Sequence, residues 1–497
     1  MELCKSCESM RSRFPTTPPL SHCLKFHPVG QGQFSSGIIS NTEDSFRYVY
    51  DCGTVSKQKF LNEAINDLFG CEICKQATSL ELDMVVISHF DEDHISGLKQ
   101  LLMRFQVNTL LLPLTSLDQR LAAAFAKGVN VSGQYMRFLI DPVAYVNSLP
   151  HPPKCIILVP PSNIADLNKG KLTGDSGLSK DEPSNPADKK LPGGLSSTDL
   201  ERIADNSPQS PRTLKVGGKL TLKNSLKKVF FEFIPYNDPS LYKSIDGPFL
   251  ERVKLKQNYL IALSKQAKKY DICLGCFRKL SKYFAPQEID HLSLIAGCLL
   301  CQMQTCIKEL QTEYNKQFGK SKKNLISLFL YAGPTQAVSK VLYQVASQHP
   351  TPVTLQILPI AAFLTCKEKM VHYPLFPSPK VEPVELAVEK PSVLFTGDGY
   401  LDEPEKLELL HGYFENRLAK IGCLQVMHHG SQKNWCEEVT NLIKPELSVF
   451  CTNGQYNHPH GDVFRSFEKY SPVIVNTQVS VTFCSYSRTR KNRLKRR

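Results

Sequence analysis

Short apolar runs recur along the chain, and several of them end in a polar turn that contains glycine. The runs are rich in the β-branched and aromatic residues that favour strands. Segments with helical periodicity lie between them, at 57–70 and from about Ile95 onward. Strands that alternate with helices indicate the α/β or layered α+β class. The clearest runs occupy 82–88, 108–114, 154–160, 392–395, 421–426 and 446–451.

Composition divides the chain further. Ser, Pro, Gly, Asn, Asp and Lys dominate 162–213 and hydrophobic periodicity vanishes there, which predicts a flexible surface excursion, a mobile loop. Residues 247–320 are basic and helical in pattern, which predicts a helical insertion. We assign 22–486 to one elaborated domain that contains both segments. An N-terminal extension at 1–21 precedes this domain, and a basic tail at 487–497 follows it.

The chain carries a formal charge of +13, from 60 Lys and Arg against 47 Asp and Glu. Such an excess favours polyanionic partners, nucleic acid or an anionic membrane surface. The tail at 487–497 could hold phosphates or be a solvated basic end. No apolar stretch approaches the roughly 20 residues that a membrane span needs, and we find no secretory signal. Seventeen cysteines, several inside apolar runs, indicate a reducing compartment, so we expect a cytoplasmic protein.

Histidines and carboxylates gather where the apolar runs end. A single cluster of this kind is most simply a polar turn between a strand and a helix. Four clusters in the same setting indicate a metal site instead, because loops at strand ends are where a rigid scaffold presents functional groups. The clusters contain His89, Asp91, Asp93 and His94; Asp398; His428 and His429; and His458 and His460.

The spacing of the first cluster suits two metal ions. A tight loop can send His89 and Asp91 to one ion and Asp93 and His94 to its neighbour. Asp398 can bridge both ions, and a later histidine completes the second site. Two metals about 3.5–4 Å apart share a hydroxide and stabilise the attacking and leaving oxygens of a phosphoryl displacement. The pattern therefore predicts a dinuclear hydrolytic centre.

The order of these motifs resembles that of the metallo-β-lactamase fold, an αββα sandwich. The motifs are H-x-D-x-D-H at 89–94, T-G-D at 396–398, H-H-G-S at 428–431 and H-P-H at 458–460. The chain looks most like the branch found as the cytoplasmic C-terminal domain of ComEC competence proteins. Residues 27–53 are similar to that branch's opening V-G-Q-G-D strand pair and I-D-C-G turn, although Gln33 stands where the branch has Asp. The resemblance covers roughly 22–160 and 214–490.

This resemblance implies a metal-dependent hydrolase, and we expect a phosphodiesterase or nuclease that acts on nucleic acid, DNA first. Asp91 fills a position where the fold usually has His. Because hard oxygen ligands shift preference away from zinc, we predict Mn²⁺ first and Zn²⁺ second. Of the adjacent His428 and His429 we favour His429 as the ligand, with His428 beside it in the pocket. The predicted catalytic residues are Asp93, Asp398, His458 and His460.

Several alternatives remain at this level. His458 and His460 could bind metal, hold the scissile phosphate or protonate the leaving group. The fold also serves hydrolases of small phosphodiesters, lactones and thioesters, and a fold does not name a substrate. A third reading is a metal-binding sensor or scaffold of a bacterial antiviral defence system, with the helical insertion as the docking surface for protein partners.

Four C-x-x-C pairs raise a separate question. The pairs in the predicted insertion have a spacing close to that of structural zinc sites. The second of them, however, lies in an apolar helical pattern, where cysteine behaves as a small hydrophobe. Ordinary core cysteines are therefore the first reading and a structural zinc the second, while Cys4/Cys7 with Cys71/Cys74 is a weaker zinc candidate. The residues of the stronger candidate are Cys273, Cys276, Cys298 and Cys301.

Overall fold

The computed structural model describes most of the chain in long stretches. These are 20–41, 44–68, 80–115, 141–162, 211–238, 327–347 and 383–487, with shorter pieces within 120–139 and 189–202 and isolated positions within 252–312. Contacts divide the chain into two units. The first comprises Met1–Pro113, Pro150–Asp238 and Ser327–Arg497, and the second comprises Leu114–Leu149 and Pro239–Ile326.

The described strands all belong to the first unit. In chain order they are β1 (Leu20–Phe26), β2 (Phe34–Asn41), β3 (Ser45–Cys52), β4 (Leu80–Val86), β5 (Phe105–Pro113), β6 (Cys155–Val159), β7 (Lys189–Lys190), β8 (Leu195–Ser197), β9 (Leu200–Arg202), β10 (Arg212–Leu214), β11 (Leu220–Lys223), β12 (Val229–Asn237), β13 (Leu328–Pro334), β14 (Lys340–Ser347), β15 (Val384–Leu386), β16 (Ser392–Phe395), β17 (Ile421–Gln425), β18 (Leu447–Cys451), β19 (Pro472–Val475) and β20 (Val479–Ser487).

Helices connect or follow many of these strands. Over the described residues the α-helices are α1 (Gln58–Asn66), α2 (Glu92–Ile95), α3 (Leu98–Arg104), α4 (Pro142–Asn147), α5 (Pro404–Phe414), α6 (Glu438–Ile443) and α7 (Gly461–Ser466). Short 3-10 helices occupy Glu415–Lys420, Met427–Gly430, Gln432–Asn434, Gln455–Asn457 and Glu468–Tyr470. The helix expected within 57–70 is confirmed by α1.

The strands form two mixed sheets in the described part of the chain. The first has the order β15-β14-β20-β1-β2-β3-β4-β5-β6-β10-β9, and the second has the order β19-β18-β17-β16-β13-β12-β11-β8-β7. Strands β3 to β6 run parallel, and so do β16 to β19. Loops that follow the strands of a parallel group meet at one edge of its sheet. The clusters predicted from sequence lie in those loops.

One hydrophobic core lies between the two sheets. Alternate residues of β1 are buried in it, and so are aromatic side chains of β3, β12 and β16. The ring of Tyr50 stacks on that of Phe395 with centroids 4.4 Å apart, and the ring of Tyr48 meets Phe233 edge to face at 5.2 Å. These contacts join the inner faces of the two sheets, which pack as a sandwich.

Helices cover the other faces of the sheets. Apolar side chains of α5, α6 and α7 form a second core with the strands around β16, including Leu410, Phe414 and Val439. On the first sheet, α3 contacts β3 and β5, and its Leu101 and Leu102 are fully buried. The chain is therefore an α/β protein with two large sheets and helices packed on both, as the alternating pattern predicted.

Parts of the structure differ from the sequence prediction. The stretch 162–213, predicted as a flexible excursion, supplies β7 to β10, and Leu195 there is fully buried between the sheets. The rest of that stretch lies outside the described residues. Strand β1 begins at Leu20, inside the predicted extension 1–21.

The described secondary structure of the second unit is helical. Helix α4 is capped by Asp141, whose side chain accepts a hydrogen bond from the Ala144 N–H. The described positions between Arg252 and Thr312 are helical too, within the insertion predicted at 247–320. The grouping of Leu114–Leu149 with the insertion was not predicted from the sequence. No helix among the described residues is both long and apolar enough to cross a membrane.

Candidate metal centre

Four strand ends of the two sheets supply the predicted site residues. The first cluster follows β4, where α2 begins directly after Asp91. Asp398 follows β16, His428 and His429 follow β17, and His458 lies in the loop after β18. Since β4 belongs to the first sheet and the other three strands to the second, the site forms where equivalent edges of both sheets meet.

Asp398 is the centre of the arrangement. Its Oδ1 lies 3.0 Å from His94 Nε2 and 3.8 Å from His429 Nε2. Its Oδ2 lies 3.6 Å from His89 Nε2 and 3.4 Å from His428 Nε2. A single buried carboxylate thus faces imidazoles from two strand ends, as a bridging ligand would.

The donor atoms form two overlapping groups in the described part of the chain. Within each group the candidate ligand atoms lie within 4.8 Å of one another, and every member is buried. Asp93 belongs to both groups, a sharing role that the sequence prediction gave to Asp398 alone. One group contains Asp93, His94, Asp398 and His429, and the other contains His89, Asp91 and Asp93.

These residues fit a metal ion on chemical grounds. His89 Nε2 and His94 Nε2 are buried and make no hydrogen bond to any described residue. Buried polar atoms are normally hydrogen-bonded, so imidazole nitrogens aimed at carboxylates without a hydrogen bond are characteristic of ligands. The surroundings are also rich in buried acids, which need positive charge close by. Those acids are Asp51, Asp91, Asp93 and Asp398.

The electrostatics keep the central carboxylate ionised. Burial alone raises the pKa of Asp398, but the surrounding imidazoles, His428 and His94 foremost, outweigh it and hold that pKa well below its usual range. Burial alone lowers the pKa of His94, but Asp398 and Asp51 raise it well above its ordinary value. The site therefore favours bound positive charge, and a divalent cation supplies such charge.

Asp51, at the end of β3, orients the first cluster. It accepts hydrogen bonds from the Ser88 N–H at 2.7 Å and the Ser88 hydroxyl at 2.6 Å, and it lies 2.7 Å from His94 Nδ1. A carboxylate at Nδ1 keeps the proton there, so the nitrogen that gives up its proton to a metal ion is Nε2. Ser88 Oγ lies 2.9 Å from His89 Nδ1. Because the Ser88 hydroxyl donates to Asp51, it accepts the proton of His89 Nδ1 and orients that ring in the same way.

A strained turn presents the adjacent histidines after β17. His428 and His429 have left-handed φ values of 44° and 57°, which are uncommon for residues with a side chain. His429 Nδ1 donates to the Cys451 carbonyl at 2.6 Å, and its Nε2 lies 3.2 Å from Asp93 Oδ2. His428 Nδ1 donates to Asn434 Oδ1 at 2.8 Å. The side chain of His429 is 2% exposed against 23% for His428, so the geometry places His429 inside the donor group and His428 at its open side.

The last two predicted histidines, His458 and His460, lie outside both donor groups. The His458 ring lies 5.5 Å from that of His428 and 6.3 Å from that of His429. Burial, followed by repulsion from His429 and His428, lowers the pKa of His458 to about 3, so its imidazole is neutral at pH 7. His460 Nδ1 accepts a hydrogen bond from the Gln432 N–H at 3.3 Å, and it belongs to neither donor group. The catalytic roles of both histidines stay predictions.

Sequence reasoning missed the residues that orient the ligands. Asp51 carried a usable signal, because it is a carboxylate at the end of an apolar strand like the residues that were selected. Ser88 and Asn434 carried none, since polar residues of these types are common in loops. Their roles depend on contacts across the fold.

Several other predictions lie partly or wholly outside the described residues. Of the candidate zinc ligands in the insertion, Cys298 and Cys301 are exposed free thiols, while Cys273 and Cys276 lie outside the described residues. The N-terminal C-x-x-C pairs and tail residues 488–497 lie outside them as well. A structural zinc in the insertion therefore stays a prediction.

Comparison with known proteins gives one partial similarity. No family model matches the chain. A segment of 94 residues, 18% of this chain, is 32% identical to Recombination protein 2 of Haemophilus influenzae. The matched segment covers 11% of that protein, so the chain spans only a small part of the relative's length.

Proposed function

We propose that the chain is a metal-dependent phosphodiesterase that cleaves nucleic acid, DNA first, at a dinuclear centre of the metallo-β-lactamase type. The observation that carries this proposal is the convergence of two buried His/Asp donor groups that share Asp93. They lie at the ends of parallel strands from two packed sheets. The layering of helices and sheets supports the metallo-β-lactamase fold, with 162–213 and 247–320 as elaborations of it.

The candidate ligands form two sets, one for each metal ion. His89, Asp91 and Asp93 would hold one ion, and Asp93, His94, Asp398 and His429 would hold the other. When bound, two such ions lower the pKa of water and stabilise charge on phosphate oxygens. Three carboxylates in the donor set favour Mn²⁺ first and Zn²⁺ second. His458, neutral and next to His428, would hydrogen-bond a substrate at the open side of the site.

Charge and similarity support a nucleic-acid substrate. The excess of 60 basic over 47 acidic residues favours a polyanion over a neutral ester. The partial similarity to Recombination protein 2 accords with a substrate of this kind.

A substrate panel tests the proposal. The full chain is freed of metal with a chelator, then reconstituted with Mn²⁺, Mg²⁺ or Zn²⁺. It is assayed on single-stranded DNA, duplex DNA, RNA, bis-p-nitrophenyl phosphate and a simple lactone. We expect polynucleotide cleavage that requires metal and that Asp398→Ala abolishes, because Asp398 faces both donor groups. Asp402→Ala is the matched control, since Asp402 lies on the same loop and pairs with Lys406 at 2.6 Å.

The alternatives give different results in the same panel. Hydrolysis of only the small ester or the lactone would contradict a nucleic-acid substrate and favour a small-molecule hydrolase. Inertness toward every substrate with metal bound would contradict the enzyme assignment and favour a metal-binding sensor or scaffold.

A further inference from the structure

Tyr456 lies beside the candidate metal centre and points away from the protein. Its side chain is 72% exposed, more than any other large aromatic residue in the described part of the chain. It sits on the 3-10 turn between β18 and α7, and its ring centroid lies 6.3 Å from that of His458. The His458 ring in turn lies 6.3 Å from that of His429, a member of the donor group. The exposed ring is therefore separated from the ligand cluster by a single imidazole.

Hydrogen bonds fix the turn that carries Tyr456 before any ligand binds. Tyr456 and Asn457 both have a left-handed φ of 60°, a backbone conformation that persists only where the surroundings enforce it. Two bonds anchor the turn to the loop after β1 and the segment after β3: Thr452 Oγ1 to Gln31 Oε1 at 2.9 Å, and Asn453 Nδ2 to Ser56 Oγ at 2.9 Å. Two more close the turn on itself, Gly454 N to Thr452 Oγ1 and Gln455 N to Asn453 Oδ1, both at 3.2 Å. A turn whose backbone is fixed before binding loses less entropy when a ligand stacks on a side chain that it carries.

Two exposed lysines adjoin residues that hydrogen-bond to this turn or to the loop that follows it. Lys57 follows Ser56, whose hydroxyl accepts the bond from Asn453. Lys433 follows Gln432, whose N–H donates to His460. The nearby acid Asp462 is paired with Arg465. Positive charge close to an aromatic ring is the combination that binds single-stranded nucleic acid, because cations follow the phosphates and the ring stacks on a base.

We propose that Tyr456 is a stacking platform for a base of single-stranded nucleic acid whose neighbouring phosphate enters the metal centre. This inference rests on the proposed function and narrows its substrate to single strands. In a duplex the faces of the bases are covered by their neighbours, so a base must be unstacked before it can lie on Tyr456. The platform tolerates any base, since every base has a π-face.

Steady-state cleavage by the full chain with Mn²⁺ tests the platform. On an end-labelled single-stranded oligonucleotide, Tyr456→Ala should raise KM about ten-fold with little change in kcat, the scale of one lost base–aromatic stack. Tyr456→Phe keeps the ring and should behave like the wild type. On a strand of abasic residues, the wild type and Tyr456→Ala should share one KM, because no base is present to stack. Equal Mn²⁺ content in all variants shows that the metal centre is intact.

Three results would overturn the platform. One is an unchanged KM in Tyr456→Ala on the single strand. Another is an equal rise in KM for Tyr456→Ala on the abasic strand, which would show that the ring does not act through a base. If no polynucleotide is cleaved at all, the proposed function fails and the platform fails with it. Cleavage that is indifferent to Tyr456 overturns the platform alone.

Discussion

The imidazole of His94 is held on its Nδ1 side by Asp51, a buried carboxylate 2.7 Å away. Because this contact fixes the tautomer that leaves Nε2 free for a metal, we expect Asp51→Asn to weaken Mn²⁺ binding roughly 10- to 100-fold. Calorimetric titration of the metal-free chain measures the change. Asp44→Asn, at an exposed carboxylate in the turn before β3, is the control and should bind like the wild type. Equal affinities for Asp51→Asn and the wild type would contradict the orienting role.

Gly53 allows the backbone of the first cluster to lie close to the end of β3. A Cβ at this position would come within 2.4 Å of the His94 backbone and 2.5 Å of the Asp93 carbonyl carbon. We expect Gly53→Ala to cost about 1–3 kcal/mol in the free energy of unfolding, because backbone atoms have no rotamer by which to move away. Urea denaturation of the metal-free chain measures this. Gly461→Ala, where a Cβ meets nothing within 4 Å, should cost nothing, and equal midpoints for the two variants would refute the close approach.

At the scale of an element, β1 brings a titratable ring into the core between the sheets. His22 lies 2.7 Å from the Tyr48 hydroxyl and packs against Phe231, and burial lowers its pKa from 6.5 to about 3. The unfolded chain takes up a proton near pH 6.5 and the folded chain only near pH 3. The stability that neutral His22 contributes is therefore fully present above pH 6.5, and it is lost as the pH falls from 6.5 toward 3.

The variant His22→Gln removes this titration and can keep a hydrogen bond to Tyr48. Between pH 7.5 and pH 5, we expect the wild type to lose about 2 kcal/mol more stability than the variant, at roughly 1.4 kcal/mol per unit of pKa difference. Urea midpoints at the two pH values give the comparison, in which the other histidines are common to both proteins. Parallel losses in the two proteins would show that His22 does not titrate in the unfolding transition.

Some elements could be predicted from the sequence and others could not. The parallel strands that carry the site are continuous apolar runs, because both of their faces are covered, and such runs are visible without any structure. Strands β7 to β10 contain only two or three residues each, too few to show a period of two. Their place in the sheets depends on partners elsewhere in the chain, such as β6 for β10 and β11 for β8.

At the scale of the whole molecule, the ligand candidates were predictable and their supports were not. His89, Asp93 and Asp398 are recognisable because ligand chemistry restricts which residue types can stand at a strand end. The contacts that orient them, through Asp51 and Ser88, join separate strands and are set only when the sheets have formed. The division into two units depends in the same way on contacts between Leu114–Leu149 and Pro239–Ile326, which are distant in sequence.

In the proposed site, the two buried donor groups bind metal. The most direct measurement is anomalous diffraction at the manganese edge from crystals of the full chain grown with Mn²⁺. We expect two peaks, one among His89, Asp91 and Asp93 and the other among Asp93, His94, Asp398 and His429. Crystals of Asp398→Ala should show weaker peaks at the same positions. Well-ordered wild-type crystals with no anomalous peak within ligand distance of these residues would contradict the claim.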